Sequence, residues 1–238
     1  MDDSVYSGFE DIHRGSTETI SKRLMVYESL ITQFSKTLSS PIAIDLGCGR
    51  GEFLKMINEI GFKSLGVDNN REFVKFAKDQ GLSVEKSEVL EFLKKQESES
   101  YDLVTAFHLI EHIDTKNFLN FINEIDRILK PGGLIILETP NPENVIVGSC
   151  NFYVDITHTR PVPSKLIRFI FENLNYKKNN IWGLNSVEKN SNNNPVSVID
   201  IFGGVSPDYA FIALKDGEKR PVEELVNELK KKKGGIIK

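Results

Sequence analysis

The apolar positions of this chain change rhythm at Pro41. Before it, Ile20, Leu24, Tyr27, Ile31 and Phe34 recur at the three- and four-residue intervals of one helix face. Ser16-Thr17-Glu18-Thr19 places a hydroxyl and an acid where such a helix should begin. After Pro41, short apolar runs alternate with longer amphipathic stretches. The pattern predicts strands at 42–46, 63–67, 83–87, 102–107 and 133–138, with two more near 177–183 and 208–214. It predicts helices near 51–60, 71–79, 88–95, 116–129 and 164–174, and Lys130-Pro131-Gly132-Gly133 is expected to stop the fourth of these and lead into the next strand. Such alternation argues for a parallel sheet with right-handed crossovers.

Three regions follow: a helical extension or lid over 1–40, a main α/β domain over 41–216, and a helical tail over 217–238. The tail starts acidic and ends basic, as a helix dipole prefers, and Val222, Leu225, Val226 and Leu229 form one stripe. It reads as a docked terminal helix, with a contact to another subunit or an anionic membrane as the alternative. Asn185 to Pro195 reads as a polar surface loop. A chain of 238 residues suffices for one sizeable α/β domain. No apolar run approaches the ~20 residues of a membrane span, and Met1-Asp2-Asp3 does not open a signal peptide. The two cysteines are isolated and suggest neither a disulfide nor a metal framework, so the cytoplasm is the default compartment. A net charge of −4 argues against broad nucleic-acid binding.

Chemistry enters at Ile42-Ala43-Ile44-Asp45-Leu46-Gly47-Cys48-Gly49-Arg50-Gly51, a buried strand ending in an acid and a glycine turn. Glycines there let backbone approach a ligand closely. A dinucleotide fingerprint has the spacing G-x-G-x-x-G, whereas this turn reads G-x-G-x-G with an acid before it. An acid at that position suits a cationic ligand better than a pyrophosphate. A second acid, Asp68, ends the next predicted strand about 20 residues on, where such units place a ribose-binding carboxylate. The stretch resembles motif I of the class I S-adenosylmethionine (SAM) dependent methyltransferases. That resemblance implies a Rossmann-like fold, with seven mostly parallel strands flanked by helices and the last strand inserted antiparallel. It also implies SAM as cofactor and S-adenosylhomocysteine as product. Asp45, Gly47, Cys48, Gly49 and Gly51 would then lie under the methionine and ribose, Asp68 and Asn69 at the ribose, and Val89 beside the adenine. Glu88 would accept from the adenine amino group, or serve only as a solvated first-turn acid. Phe107 and His108 would pack against SAM, and Arg14 in the lid would meet its carboxylate.

His108-Leu109-Ile110-Glu111-His112 spells H-x-x-E-H. On a helix that would be a zinc-peptidase motif, but here it follows a predicted strand, so the two histidines need not share a face. Some small-molecule and RNA methyltransferases carry E-x-x-E-H at this place with a later histidine, and hold a divalent metal. This chain has His108 where they have glutamate, so a metal on Glu111, His112 and His158 is not the favoured reading. The favoured roles are acceptor contact or general base for His112 and His158, and support for Glu111.

Four segments narrow the resemblance: residues 11–18, 105–112, 138–144 and 152–161. Together they look like the methyltransferase module of bacterial O-antigen chain-terminating enzymes, over roughly residues 9 to 180. That resemblance implies an O-methyltransferase capping the terminal sugar of a surface polysaccharide, near membrane-associated assembly machinery at the inner face of the membrane. With no room for a kinase domain after the core, a 3-O-methylated sugar is expected rather than a methylated phosphate. His158 would deprotonate the hydroxyl while Arg160 or Arg14 holds an anionic group, Arg160 serving equally as a loop hydrogen-bonding residue. The enzyme alternative is a small hydroxylated metabolite such as a quinone precursor. The non-enzyme alternative is a protein that binds SAM without transferring its methyl group.

Overall fold

The computed structural model describes residues 3–13, 15–176, 178–186, 202 and 204–217. Arg14, most of the predicted polar loop and nearly all of the predicted tail lie outside these. Helices α1 (Asp3–His13), α2 (Thr17–Leu24) and α3 (Glu28–Ser35) precede the sheet. Ser16 caps α2 as its sequence suggests, its hydroxyl accepting from the Thr19 N–H. Then follow β1 (Ile42–Leu46), α4 (Glu52–Ile60), β2 (Lys63–Asp68), α5 (Arg71–Asp79), β3 (Val84–Lys86) and α6 (Val89–Leu93). The second half runs β4 (Tyr101–Phe107), α7 (Phe118–Ile128), β5 (Leu129–Pro140), α8 (Val145–Ser149), α9 (Ser164–Asn173), β6 (Lys178–Leu184) and β7 (Asp208–Leu214). No helix among the described residues is long and apolar enough to cross a membrane.

The strands form one seven-stranded sheet in the order β3-β2-β1-β4-β5-β7-β6. The first five are parallel, and β7 runs antiparallel between β5 and β6. Alternate side chains feed two separate cores. Ala43, Leu103, Leu134, Ile136 and Ile212 face Tyr27, Ile31, Phe34, Phe53 and Leu54 from α3, its preceding turn and α4. Ile44, Val104, Ile135, Leu137 and Phe211 face Phe92, Phe121, Ile125, Ile167 and Phe171 from α6, α7 and α9. Burying one such side chain stabilises by about 1.5–3 kcal/mol, so the N-terminal segment from Leu24 to Phe34 is part of the core rather than an appendage to it.

The predicted strand at 133–138 is longer in the structure and begins before the Lys130–Gly133 turn. Leu129 already pairs with Tyr101, the register slips, and pairing resumes at Leu134 with Leu103. Gly132, at φ 72°, lets the extra residues bulge. Its N–H and that of Lys215 then exchange bonds across to β7 through Lys215 O and Gly133 O. The fold also contains α1, α8 and a short 3-10 turn at Asn151–Val154, which the apolar spacing did not show.

At the opposite end of the sheet, the buried Asp102 accepts from the Ile42 N–H at 3.0 Å and from Lys130 Nζ at 2.8 Å, joining β1, β4 and the bulge. Removing this carboxylate strands a donor at the start of β1. Asp102→Ala is expected to lower unfolding free energy by about 1–3 kcal/mol, read as an earlier urea midpoint at unchanged slope.

Candidate active site

In a parallel sheet the loops that follow the strands carry the chemistry, and here those loops converge. The turn after β1 is anchored by N–H groups of Gly47 and Cys48 donating to Val67 O at 2.8 and 3.1 Å. Gly47, Gly49 and Gly51 all take positive φ, at 69°, 53° and 85°. A Cβ on Gly51 would lie 2.4 Å from Leu82 Cδ1, and one on Gly47 3.0 Å from Leu109 Cδ1. The turn therefore folds this tightly only with glycine.

Above it lies a cleft whose lining includes Asp45, Gly47, Cys48, Gly49, Phe107 and His108 from the predicted set. Asp45 is buried, and its Oδ1 accepts from Thr105 Oγ1 at 2.7 Å. Burial, with Asp45 and Asp68 close by, pushes the Cys48 thiol up and keeps it protonated. Sequence reasoning missed Arg23, Phe53, Phe73 and Asn185, which are also among the lining residues. Phe53 packs on Phe107 with ring centroids 4.6 Å apart. A buried acid, a glycine floor and an aromatic wall fit a cationic ligand with an apolar body, as SAM is. When bound, SAM supplies an electrophilic methyl group on a sulfonium sulfur.

The remaining predicted cofactor residues lie outside that lining. Asp68 holds the turn, its Oδ2 accepting from Gly49 N–H at 2.9 Å and its Oδ1 from Asn70 N–H at 2.8 Å. Asn69 Nδ2 donates to Glu88 Oε1 at 3.0 Å, so those two satisfy each other at the ends of β2 and β3. Val89 is buried in the second core, and Gly51 caps α4 in the left-handed conformation. Arg14 is not described. Its neighbour Gly15 accepts from Arg50 Nη2 at 2.8 Å, which ties the N-terminal segment to the glycine turn.

The second half of the site forms beyond β4. His108 takes a left-handed conformation at φ 51°, unusual for a side chain of its size, with its N–H donating to Glu138 O at 2.9 Å. This turns its ring between two carboxylates. Its Nδ1 is 3.4 Å from Glu111 Oε1, and its Nε2 is 3.4 Å from Glu138 Oε1. Tyr27 donates to the other oxygen of Glu138. Glu111 is fully buried; Thr139 Oγ1 donates to its Oε2 at 2.8 Å, while Oε1 has no hydrogen-bond partner among the described residues. Burial works to raise its pKa, but His108 and His112 beside it outweigh that and hold it at about 2.

His158 arrives from 47 positions further along the chain, because its loop is bonded to Glu111. Thr159 donates its N–H and Oγ1 to Glu111 O at 2.9 and 2.8 Å. The rings of His112 and His158 stand 4.7 Å apart, edge to face. Burial lowers the His112 pKa, with a further lowering from His158. One donor atom each from Glu111, His112 and His158 falls within 4.8 Å of the others. The predicted Arg160 does not join them: its guanidinium lies 4.5 Å over the Phe118 ring.

A glycine turn under a cleft, with an acid at the end of β1 and a basic cluster beyond β4, defines a methyl-transfer site of the class I kind. The chain belongs to the SAM-dependent methyltransferases. A family profile described as a methyltransferase domain matches residues 20–176. A SAM dependent methyltransferase from Archaeoglobus fulgidus is 31% identical, covers 88% of this chain and 99% of its own, and superposes with a TM-score of 0.75. Among curated proteins, the ubiquinone biosynthesis O-methyltransferase of Xanthomonas oryzae is 31% identical over 109 residues, 44% of this chain and 45% of that protein. The mitochondrial protein of that name from Dictyostelium discoideum is 26% identical over 139 residues, 51% of this chain and 43% of that one. The chain thus spans about half the length of these curated relatives.

Asp45→Asn keeps the shape and the Thr105 contact and removes the charge facing the cleft. SAM affinity by calorimetry is expected to fall about 10- to 100-fold, the worth of one charge-assisted contact, with thermal stability nearly unchanged.

Proposed function

We propose that this protein is a SAM-dependent O-methyltransferase for a small hydroxylated acceptor with an apolar body, of the quinone-precursor kind. The observation that carries this reading is the surface beside the Glu111–His112–His158 cluster. As sequence, Asp155–Arg160 looks polar and suits a sugar. In the fold its polar groups turn inward: Thr157 Oγ1 donates to Asp155 Oδ1 at 2.6 Å, and Arg160 lies on Phe118. The large apolar side chains exposed in and just before this segment are Tyr153 (63%), Val154 (44%) and Ile156 (77%). Exposed apolar side chains neighbouring the polar cluster along the chain suit an acceptor with a hydroxyl at one end and hydrocarbon at the other. The names of the curated relatives support the same acceptor class.

The cleft residues and the cluster divide the work. Asp45 and the glycine turn hold the methyl donor, and the cluster holds the acceptor oxygen in line with the methyl carbon. The acceptor O–H gives its proton to the His158 imidazole, the oxygen forms its bond to the methyl carbon, and the carbon–sulfur electron pair stays with sulfur. S-adenosylhomocysteine and the methyl ether are the products.

The second reading is the terminal sugar of a surface polysaccharide, supported by the segments at 11–18, 138–144 and 152–161. Transfer of labelled methyl from SAM separates the two. An alkyl-substituted catechol is expected to show a kcat/KM at least about tenfold above any sugar-terminated oligosaccharide, the span a well-fitted apolar pocket gives. The reverse order would establish the glycan reading. Transfer to neither class, with SAM bound, would sink both.

A further inference from the structure

We propose that Asp155 is a positioning residue for methyl transfer, acting through Thr157 on His112 and directly on His158. The arrangement rests on the geometry of this chain, and only the proton transfer it serves rests on the reading above.

Asp155 is buried, and its two oxygens face different partners. Oδ1 accepts from the Thr157 N–H at 2.8 Å and from Thr157 Oγ1 at 2.6 Å. The Thr157 hydroxyl thereby spends its one proton on the carboxylate. Toward His112 Nδ1, 2.9 Å away, it can then only accept. His112 therefore carries its proton on Nδ1 and its lone pair on Nε2. A hydroxyl by itself would suit either tautomer, because it can donate or accept. The carboxylate behind the hydroxyl removes that freedom and fixes the ring.

The second oxygen faces the other imidazole. His158 Nε2 stands 3.8 Å from Asp155 Oδ2 and 3.9 Å from Glu111 Oε1. On the far side of that ring, Nδ1 lies 2.6 Å from Phe152 O, a carbonyl that only accepts. His158 thus also keeps its proton on Nδ1 and its lone pair on Nε2. Neither carboxylate is within hydrogen-bond length of Nε2, so the lone pair is available to the acceptor hydroxyl. Once Nε2 has taken that proton, the imidazolium lies beside two carboxylate oxygens. A closing movement of about 1 Å turns either into a charge-assisted bond.

Tyr6 of α1 holds the same carboxylate, its hydroxyl donating to Asp155 Oδ2 at 3.4 Å. The Tyr6 ring stands edge-on to Phe73, which lines the cofactor cleft. Asp3 on the same helix accepts from the Arg71 N–H at 2.9 Å, at the start of α5. Helix α1 therefore touches the cofactor side of the site and the residue that sets its imidazoles.

The test is NMR of the untagged full chain carrying ¹⁵N-labelled histidine, stripped with EDTA and held at about pH 8, above the ordinary histidine range. Spectra of His112→Gln and His158→Gln assign the two rings. In the wild-type protein both are expected to show the proton on Nδ1. Thr157→Val is expected to turn His112 into a mixture of tautomers, and Thr157→Ser to keep the wild-type form. On a methylated acceptor, kcat is expected to fall about 10- to 100-fold in Thr157→Val and Asp155→Asn, less than the full worth of a general base, and to recover in Thr157→Ser. Unchanged SAM affinity by calorimetry shows that the variants are folded. A proton on Nε2 of either ring in the wild type, an unaltered His112 tautomer in Thr157→Val, or an unaltered kcat in both variants overturns the inference. The expected tautomers with no methylated acceptor uphold the arrangement and sink the acceptor reading instead.

Discussion

Glu111 is the constraint on which the site depends. An ionised carboxylate removed wholly from water is unfavourable by several kcal/mol unless its surroundings answer for it. Here Thr139 on β5 donates to one oxygen, and His108 Nδ1 stands 3.4 Å from the other. The Glu111 backbone carbonyl separately accepts from Thr159 and so locates a distant loop. The loop carrying Asp155, Thr157 and His158 sits where it does because its backbone is bonded to the residue its side chains serve.

His108 joins this centre to the cofactor cleft. It lines the cleft, and its ring reaches Glu111 on one side and Glu138 on the other. Glu138 in turn is bonded to Tyr27, which is packed in the core with Phe107 and Trp182. Burial and Glu138 raise the Tyr27 pKa well above its usual value, so Tyr27 stays a donor. The left-handed backbone at His108 costs of order 1–3 kcal/mol, and the bonds to β5 hold it. His108 thus stands in contact with both the cleft and Glu111.

Much of the fold was legible in the sequence, because the two sheet faces alternate so regularly. The ranges of β1, β7 and α5 coincide with the apolar pattern, and the sheet has the predicted antiparallel insertion. The start of β5 was not legible, since Pro131-Gly132-Gly133 has the composition of a turn whether it ends a strand or bulges within one. Helix α1 was missed for a different reason. Tyr6 meets Phe73 of α5, while Val5 and Ile12 are exposed, so α1 has no core stripe.

The site was legible only where it is local. The glycine turn and Asp45 could be read in one window because a strand, a turn and a helix form it in sequence. Glu111 and His158 could be named one at a time, but their meeting depends on the Thr159 bonds to Glu111 O, which spacing does not encode. The polar letters of 155–160 misled for the same reason. Asp155 accepts from Thr157, Thr157 meets His112, and Arg160 lies on the Phe118 face, while Ile156 and the preceding Tyr153 and Val154 are exposed. Whether a polar residue belongs to the solvent or to a neighbour is decided by the fold, and here that decision changes the acceptor that the site fits.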